Sequence, residues 1–313
     1  MKVLVAGATG ALGRQLVPKL IAAGHDVAGT TRTAHKEPAL RAAGAVPVVL
    51  DLLDPEAVAR AVAGFEPEVL VHEATALSSV DMRHFERAFA LTNRLRTEGI
   101  DHLLAAGRAV GVRRFVAQSF AGWPFARSGA MVKTEEDPLD PDPIGPMRTT
   151  LAALRHLEAA VIGADWTEGI VLRYGALYGP GTSLDRDGGE MTEMIRRGFF
   201  PIVGSGEGIS SFIHVADAAD ATVAAVERGT RGIFQVVDDE PAPIREWLPA
   251  VAAALGAPPP RRIPRWLGRL VAGEAIVTIS TETRGATNER AKHVLGWMPR
   301  HASWRDSFAA KTA

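Results

Sequence analysis

The stretch GATGALG, residues 7–13, decides the fold of this chain. It follows the apolar run KVLVA (2–6) and opens a segment that can form a helix, GRQLVPKLIAAG (13–24). Three glycines at intervals of three, placed between a strand and a helix, are typical of a turn that holds a dinucleotide. Gly7 permits the tight turn, Gly10 lets the backbone approach a pyrophosphate, and Gly13 lets the helix pack closely on the strand.

The pyrophosphate is expected at the start of the helix that follows this turn. A helix N-terminus offers unpaired N–H groups and the positive end of the helix dipole, and both favour an anion. The residues expected to contact the dinucleotide here are Gly7, Thr9, Gly10, Ala11, Leu12 and Gly13.

Further apolar runs rich in β-branched residues follow along the chain. They are DVAGTT (26–31), VPVVL (46–50), EVLVHEA (68–74), RFVAQS (114–119) and GIVLRYG (169–175). Segments that can form helices separate the runs, and this alternation predicts an α/β fold with a doubly wound parallel sheet covered on both faces. The run from 124 to 146 is rich in Pro, Gly and Asp and is expected to be a loop over the carboxyl edge of the sheet.

The pattern becomes irregular after about residue 180. A glycine-rich loop (204–208) precedes a predicted helix (215–228) and a predicted strand (233–237). A second helix (244–255) and the stiff run APPPRRIPRW (257–266) follow. We therefore expect a dinucleotide-binding domain over residues 1–178 and a smaller substrate lobe over 179–313, with 209–237 returning to the sheet of the first domain.

The end of the second strand discriminates between the two nicotinamide cofactors. An acidic residue there would hold the ribose hydroxyls of NAD, but this chain has Thr30, Thr31 and Arg32. Thr31 and Arg32 therefore favour NADP, because a guanidinium can bind the 2′-phosphate that a carboxylate would repel. Asp51, after the third strand, is placed either to accept a hydrogen bond from the adenine amino group or to cap a helix.

Composition excludes several classes of function. The 35 basic and 36 acidic residues give a net charge of −1, so no overall field favours nucleic acid. The absence of cysteine excludes disulfides, thiolate zinc sites and cysteine nucleophiles. The nine histidines show no paired metal spacing, and no metal is expected. No apolar run approaches the roughly 20 residues that span a bilayer, and the first strand does not resemble a signal peptide. The expected location is the cytoplasm, without a membrane partner.

Several stretches together resemble the extended short-chain dehydrogenase/reductases of the epimerase–dehydratase group. They are GATGALG (7–13), DLLD (51–54), VHEATAL (71–77), AAGRAVGVRRFVAQS (105–119), LRYGALYGPGT (172–182), FIHVADAADA (212–221) and LGWMPR (295–300). The resemblance implies a Rossmann domain for the dinucleotide and a C-terminal lobe for the substrate. It also implies contacts to the dinucleotide from Asp51, Leu52, Ala74, Thr75, Ala76, Ser119, Tyr174 and Leu177.

The resemblance also shows where this chain departs from the family. The family's catalytic helix carries a tyrosine, a lysine four residues later and an acidic residue four places beyond. Glu158 fits the acidic position, which places the lysine at Leu154 and the tyrosine at Thr150. Phe120 then stands where the catalytic Ser or Thr belongs, and Ser119 matches a structural neighbour. No catalytic side chain is therefore assigned, since leucine cannot lower a neighbour's pKa and a threonine hydroxyl is a feeble acid.

Three functions are compatible with such a chain. The first is an NADPH-dependent ketoreductase, because positioning of the cofactor can outweigh a lost acid and an aromatic ketone with a neighbouring phenol stabilises its own alkoxide. The sequence resembles the atypical branch of the family, whose members include reductases that tailor angucyclinone-type aromatic polyketides in antibiotic pathways. The alternatives are a non-catalytic NADP(H) sensor and a nucleotide-sugar epimerase or dehydratase. The expected assembly is a monomer or a homodimer.

Overall fold

The computed structural model describes residues 1–77 and 84–308. Its strands are β1 (Lys2–Ala6), β2 (Asp26–Thr31), β3 (Val46–Val49), β4 (Val69–His72), β5 (Arg114–Phe120), β6 (Val132–Lys133), β7 (Glu168–Tyr174), β8 (Ala176–Tyr178), β9 (Ile202–Val203), β10 (Ile209–Ser210), β11 (Phe212–His214), β12 (Gly232–Val236), β13 (Ala242–Pro243), β14 (Arg262–Ile263) and β15 (Gly285–Ala286).

The helices alternate with the strands in the first half of the chain and dominate the second half. They are α1 (Ala11–Ala22), α2 (Glu37–Ala42), α3 (Pro55–Phe65), α4 (Phe85–Arg94), α5 (Ile100–Val110), α6 (Gly145–Gly163), α7 (Glu190–Arg196), α8 (Val215–Arg228), α9 (Ile244–Ala254), α10 (Arg265–Ala272), α11 (Glu274–Glu282), α12 (Glu289–Leu295) and α13 (Trp304–Phe308). A short 3₁₀ turn (Ala34–Lys36) precedes α2, and one π-helical segment (Leu95–Gly99) joins α4 to α5.

Seven parallel strands form the central sheet in the order β12-β7-β5-β4-β1-β2-β3. The chain builds one half outward from β1 to β3 and the other outward from β4, so the strand order reverses between β1 and β4. In sheets of this kind ligands bind at the carboxyl ends of the strands beside that reversal. The predicted doubly wound α/β fold is confirmed.

Helices cover both faces of the sheet because the strand residues alternate between the two cores. Val3 and Val5 of β1 pack in the cluster that includes α1 and α8, whereas Leu4 and Ala6 pack in the cluster with α3, α5 and α6. All four side chains are fully buried. A strand buried on both sides is apolar at every position, which is the pattern that made these runs recognisable in the sequence.

A smaller apolar cluster lies beyond the sheet, in the region where the sequence predicts a second lobe. It contains Tyr178, Phe212, Trp247 and Trp304, among others. Short strands brace this lobe in pairs, β8 with β11, β9 with β14 and β10 with β13. The region 209–237 divides between the two parts: β12 is the edge strand of the main sheet and α8 covers its face, whereas β10 and β11 pair outside it.

Two stretches hold more regular structure than their composition suggests. The loop 124–146 contains β6, which pairs with β15, and the first residues of α6. The proline-rich run 257–266 contains β14 and the start of α10. In both places pairing with a distant strand overrides the local signal of proline and glycine. Among the residues described, no helix combines the length and the apolar character needed to cross a membrane.

Candidate active site

The glycine turn between β1 and α1 lies against the end of β4. Gly7 has φ +92°, and a Cβ at this position would stand 2.7 Å from the backbone nitrogen of Ala74. A Cβ on Gly13 would stand 2.4 Å from the carbonyl oxygen of Gly7. The Gly7 N–H donates to Thr30 Oγ1 over 3.2 Å, which ties the turn to β2. Two of the three glycines are therefore required by the protein's own packing.

The start of α1 has the features of an anion site. Gly10 is the N-cap, is exposed, and contributes no side-chain cap, and the first turn of the helix holds no acidic residue. Thr9 and Ala11 are half-buried beside it, and Leu12 packs in the core. The first N–H groups of α1 can thus bind a pyrophosphate, and these residues fit the phosphate portion of a dinucleotide.

The adenosine end of the expected site lies along the carboxyl ends of β2 and β3. Thr31 is buried and its hydroxyl contacts Thr33, whereas Arg32 is exposed and has no ion-pair partner among the described residues. The exposed Asp51 accepts a hydrogen bond from the Leu53 N–H over 3.0 Å. The N-cap of α3 is Asp54, so the interpretation of Asp51 as that cap was wrong. Leu52 is buried and contacts the α5 side of the sheet.

The segment after β4 continues the same edge. Ala74, Thr75 and Ala76 are half-buried, and the Ala76 N–H donates to Thr92 Oγ1 over 3.0 Å. Leu177 is half-buried on β8, but Tyr174 is only 1% exposed at the end of β7. The matching stretch VHEATAL ends at Leu77, the last residue described before the gap at 78–83.

Glu73, which sequence reasoning passed over, is buried beneath the glycine turn. Tyr174 Oη lies 3.1 Å from Glu73 Oε1 and 2.6 Å from Thr222 Oγ1, and the Thr222 hydroxyl donates to the Ala218 carbonyl. The Tyr174 hydroxyl donates to the Glu73 carboxyl group. Burial raises the pKa of Glu73 to about 8, opposed by the hydrogen bond with Tyr174.

A second buried polar network lies on the α6 face of the sheet. Ser119 Oγ donates to Glu158 Oε1 over 2.6 Å, and Arg173 binds both oxygens of the same carboxylate at 2.8 and 2.6 Å. His72 contacts the Leu95 carbonyl through Nε2 at 3.2 Å, and burial lowers its pKa to about 4. Ser119 is thus a structural donor to α6, and its hydroxyl proton is already engaged.

Aromatic side chains gather beside the start of α6. Phe85 and Phe89 of α4 stack with ring centroids 4.5 Å apart, and Trp123 meets Phe85 edge-on at 5.5 Å. Phe120, at the end of β5, lies 6.4 Å from Trp123. Met147 of α6 and Ala275 of α11 complete the apolar cluster. These residues come from four separate elements and from the segment after β5, so no local motif in the sequence could reveal the cluster.

Comparison with known proteins matches residues 3–236 to the NAD dependent epimerase/dehydratase family. The chain belongs to that family. It is 48% identical over 309 residues to a 3-diazoavenalumate denitrifying reductase of a Streptomyces species, covering 98% of this chain and 99% of the relative. It is 30% identical over 275 residues to the 2-alkyl-3-oxoalkanoate reductase of Stenotrophomonas maltophilia, covering 82% and 77% of the two chains. The chain is accordingly an oxidoreductase of the epimerase/dehydratase family.

The fold of a solved family structure superposes on nearly all of this chain. The UDP-glucose 4-epimerase of Thermotoga maritima gives a TM-score of 0.78 over 98% of this chain and 96% of its own, at 22% identity. At that identity the likeness concerns the fold. It supports the positions of the elements around the site, and it carries no information on the substrate of this family member.

The structure shows the surroundings of the three positions that the sequence aligns with the family's catalytic residues, and their assignment stays a prediction. Thr150 is fully buried on α6 and its Oγ1 accepts a hydrogen bond from Asn93 Nδ2 at 3.0 Å. Leu154 is buried one turn later, and Phe120 faces the aromatic cluster. The chain has two tyrosines, Tyr174 and Tyr178, and both are buried in the clusters described above.

One group of possible metal ligands occurs among the described residues, formed by His214, Asp217 and His301. His214 Nδ1 accepts from the Ala216 N–H and caps α8, and His301 Nδ1 lies 2.9 Å from Asp217 Oδ2. The two imidazoles stack at 3.7 Å with 22° between their planes. The nitrogen lone pairs of two nearly parallel imidazole rings do not converge on one ion. The group is better explained as a set of contacts that holds the C-terminal segment against α8.

Proposed function

We propose that this protein is an NADPH-dependent reductase that removes the diazo group from an aromatic diazo carboxylate and leaves hydrogen in its place. The observation that carries the proposal is the buried Thr150, whose hydroxyl oxygen accepts from Asn93 and which the sequence aligns with the family's acid. The 48% identity with a denitrifying reductase of a diazo acid, over nearly the full length of both chains, supports the same reaction.

The chemistry of a diazo group fits a site without a proton donor. When bound, a reduced nicotinamide supplies a hydride. Replacement of an aryl diazonium group by hydride releases dinitrogen and needs no proton at the reacting atoms. A ketone, by contrast, becomes an alkoxide on accepting hydride and has to gain a proton, a step for which a general acid contributes about 10²–10⁴-fold. A missing acid therefore handicaps ketone reduction and leaves diazo removal unimpaired.

The aromatic cluster suits a cationic aromatic substrate. Phe120 and Trp123 are partly exposed, and the faces of such rings carry negative electrostatic potential that attracts a positively charged diazonium group. An apolar wall also keeps water from a group that water would otherwise displace. The carboxylate of the substrate is expected to point from this cluster towards solvent.

NADPH is the proposed cofactor because of the residues at the end of β2. Arg32 is exposed beside the buried Thr31 and is not engaged by any described acidic residue. An unengaged guanidinium at this edge is free to bind a 2′-phosphate through two hydrogen bonds.

Reduction of an aromatic ketone is the second candidate. The 30% identity with a reductase of an oxo acid favours it, and a phenol beside the carbonyl would supply the hydrogen bond that the protein lacks. Polyketide tailoring in an antibiotic pathway is a context in which such ketones and such reductases occur together.

The test is a direct comparison of the two substrate classes. A diazotised amino-hydroxycinnamate and an ortho-hydroxyaryl ketone are each incubated with the purified protein and NADPH. We expect one NADPH to be consumed per diazo acid, with an arene product lighter by dinitrogen and heavier by hydrogen in the mass spectrum. Turnover of the ketone alone would replace the proposal by the second candidate, and tight NADPH binding without turnover of either would indicate a sensor.

A further inference from the structure

Helix α10 (Arg265–Ala272) carries two large apolar side chains on its solvent-facing side. Trp266 is 65% exposed and Leu270 is 77% exposed, and a spacing of four residues places them on one face of the helix. Gly268, midway between them, is the buried residue of α10. Because positions two residues apart differ by about 200° around a helix axis, Trp266 and Leu270 point away from the protein. A surface helix normally buries its apolar face, so the arrangement in α10 is reversed.

Close packing of Gly268 holds α10 in this orientation. A Cβ at Gly268 would stand 2.5 Å from Val203 Cγ1 and 3.3 Å from Val277 Cγ2. A rotation of the helix that hid Trp266 would bring a larger side chain into this contact, where there is no room for one. The exposure of Trp266 and Leu270 is therefore a consequence of how α10 packs on β9 and α11.

Two unpaired arginines precede the helix. Arg261 and Arg262 are exposed, and the Ile202 N–H donates to the Arg261 carbonyl over 2.9 Å, which holds this segment beside β9. Neither guanidinium forms an ion pair within residues 1–77 and 84–308. The two arginines inside α10 are already paired with glutamates of α11. The α10 surface, which we define as Arg261, Arg262, Trp266 and Leu270, therefore has an excess of positive charge beside an apolar pair.

This charge disfavours a second copy of the chain as the partner of the α10 surface. In a two-fold symmetric contact the same patch lies on both sides of the interface. The α10 surface would then face the unpaired arginines of its own kind, and like charges across an interface repel. A partner of complementary charge is anionic.

The shape of the α10 surface favours a lipid membrane over an acidic protein. A stable protein interface buries roughly 800 Å² on each side and seats its central side chains in pockets. Trp266 and Leu270 instead project from a helix whose buried residue is a glycine. A bilayer accepts projecting side chains, since tryptophan prefers the headgroup region and the apolar stem of arginine lets its charge reach the phosphates.

We propose that the α10 surface binds reversibly to an anionic phospholipid membrane. Trp266 and Leu270 enter the boundary between headgroups and acyl chains, and Arg261 and Arg262 contact lipid phosphates. A contact of this kind is peripheral and needs no helix that spans the bilayer. It departs from the sequence-based expectation of a protein without a membrane partner, and it does not depend on the proposed reaction.

The test is co-sedimentation of the purified protein with phospholipid vesicles. We expect binding to phosphatidylcholine vesicles that contain about 30% phosphatidylglycerol, little binding to phosphatidylcholine alone, and loss of binding at high salt. Trp266→Ser/Leu270→Ser should lower the partition coefficient at least about tenfold, because the apolar contact is removed. Arg261→Gln/Arg262→Gln should lower it at least about tenfold on the anionic vesicles, since each arginine near such a surface contributes about fivefold.

Matched controls change the same chemistry on other elements. Val46→Ser/Val49→Ser removes two exposed apolar side chains of β3, and Lys36→Gln/Arg108→Gln removes two exposed positive charges. Both control variants should bind the anionic vesicles within about threefold of the unmodified protein. The melting temperature of Trp266→Ser/Leu270→Ser should stay within about two degrees of the unmodified protein, because both side chains are exposed.

Three results would overturn the inference. The first is failure of the unmodified protein to bind the anionic vesicles. The second is vesicle binding that the control variants weaken as much as the α10 variants do, which would indicate a general effect of charge or apolar surface. The third is a dimer of the unmodified protein in sedimentation velocity that Trp266→Ser/Leu270→Ser dissociates, because a second copy would then cover the α10 surface.

Discussion

The candidate site has two halves, the glycine turn after β1 and the helix α6, and different physical constraints act on them. Around the glycine turn, residues 7–13, backbone atoms approach so closely that a single Cβ at Gly7 or Gly13 would overlap neighbouring backbone. Around Thr150 and Leu154 the side chains are buried and well packed, yet nothing in the backbone requires a threonine or a leucine there. The turn is fixed by sterics, whereas burial alone does not fix which side chains stand at Thr150 and Leu154 of α6. A family resemblance therefore predicts cofactor binding better than it predicts the reaction.

The largest effect on NADPH affinity is expected from a substitution at the start of α1. Gly10→Val adds a branched side chain where the pyrophosphate is expected, while its backbone angles, φ −74° and ψ 176°, suit valine. We expect NADPH affinity to fall at least about 100-fold while the protein remains folded. Isothermal titration and thermal melting measure the two effects.

The matched control is Gly64→Val, at an exposed position in α3 where a Cβ meets nothing within 4 Å. It should leave NADPH affinity unchanged. Normal binding by Gly10→Val would show that the phosphates lie elsewhere, and the assignment of this turn would be wrong.

The sequence predicted the fold because the strands are buried on both faces. Continuous apolar runs such as Val69–His72 can be read without knowledge of their partners. Glu73 and Arg96 could not be assigned in this way, because their significance depends on which residues surround them. The sequence carries one weak signal for Arg96, which is buried in the π-helical segment Leu95–Gly99. It lies three residues after the buried Asn93 and four residues before the buried Ile100, a spacing that places it on the inward face of the helix. The aromatic cluster gave no signal at all.

A smaller effect is expected at the adenosine end. Arg32→Ala should remove most of the preference for NADPH over NADH, a change of about 10–100-fold if two charge-assisted hydrogen bonds are lost. Lys36→Ala, at an exposed cation four residues away, is the control for a general loss of positive charge. Dissociation constants for both cofactors decide the question. Equal affinities in the unmodified protein would show that Arg32 does not select the cofactor.

The buried Glu73 makes stability depend on pH. Its pKa is about 8 in the folded protein, so between its usual value near 4.5 and pH 8 the folded state holds a proton that the unfolded state releases. Stability should therefore fall as pH rises through this window and level off above it. Glu73→Gln keeps a neutral side chain of the same shape, and its melting temperature should exceed that of the unmodified protein at pH 9 by several degrees.

Asp238, whose pKa burial also raises to about 8, will retain part of the decline in that variant. The Glu73→Gln/Asp238→Asn double variant should flatten the curve further. Parallel curves for the unmodified protein and Glu73→Gln between pH 5 and pH 9 would show that Glu73 is ionised in the folded state.

The smallest effect on turnover is expected at Thr150, the position that the sequence aligns with the family's catalytic tyrosine. Thr150→Val removes the acceptor of the Asn93 amide, which lies in a buried position, so the free energy of unfolding should fall by about 1–3 kcal/mol. Turnover of the diazo acid, measured at a temperature where the variant is fully folded, should stay within about tenfold of the unmodified protein, because no proton is transferred at the reacting atoms.

Thr149→Val is the companion variant, since Thr149 is exposed and its hydroxyl contacts Glu86 at 2.9 Å. A loss of about 10³-fold in turnover for Thr150→Val alone, with NADPH binding intact, would identify Thr150 as a proton donor. The contrast between a turn fixed by sterics and a helix α6 whose buried threonine takes no part in proton transfer would then no longer hold.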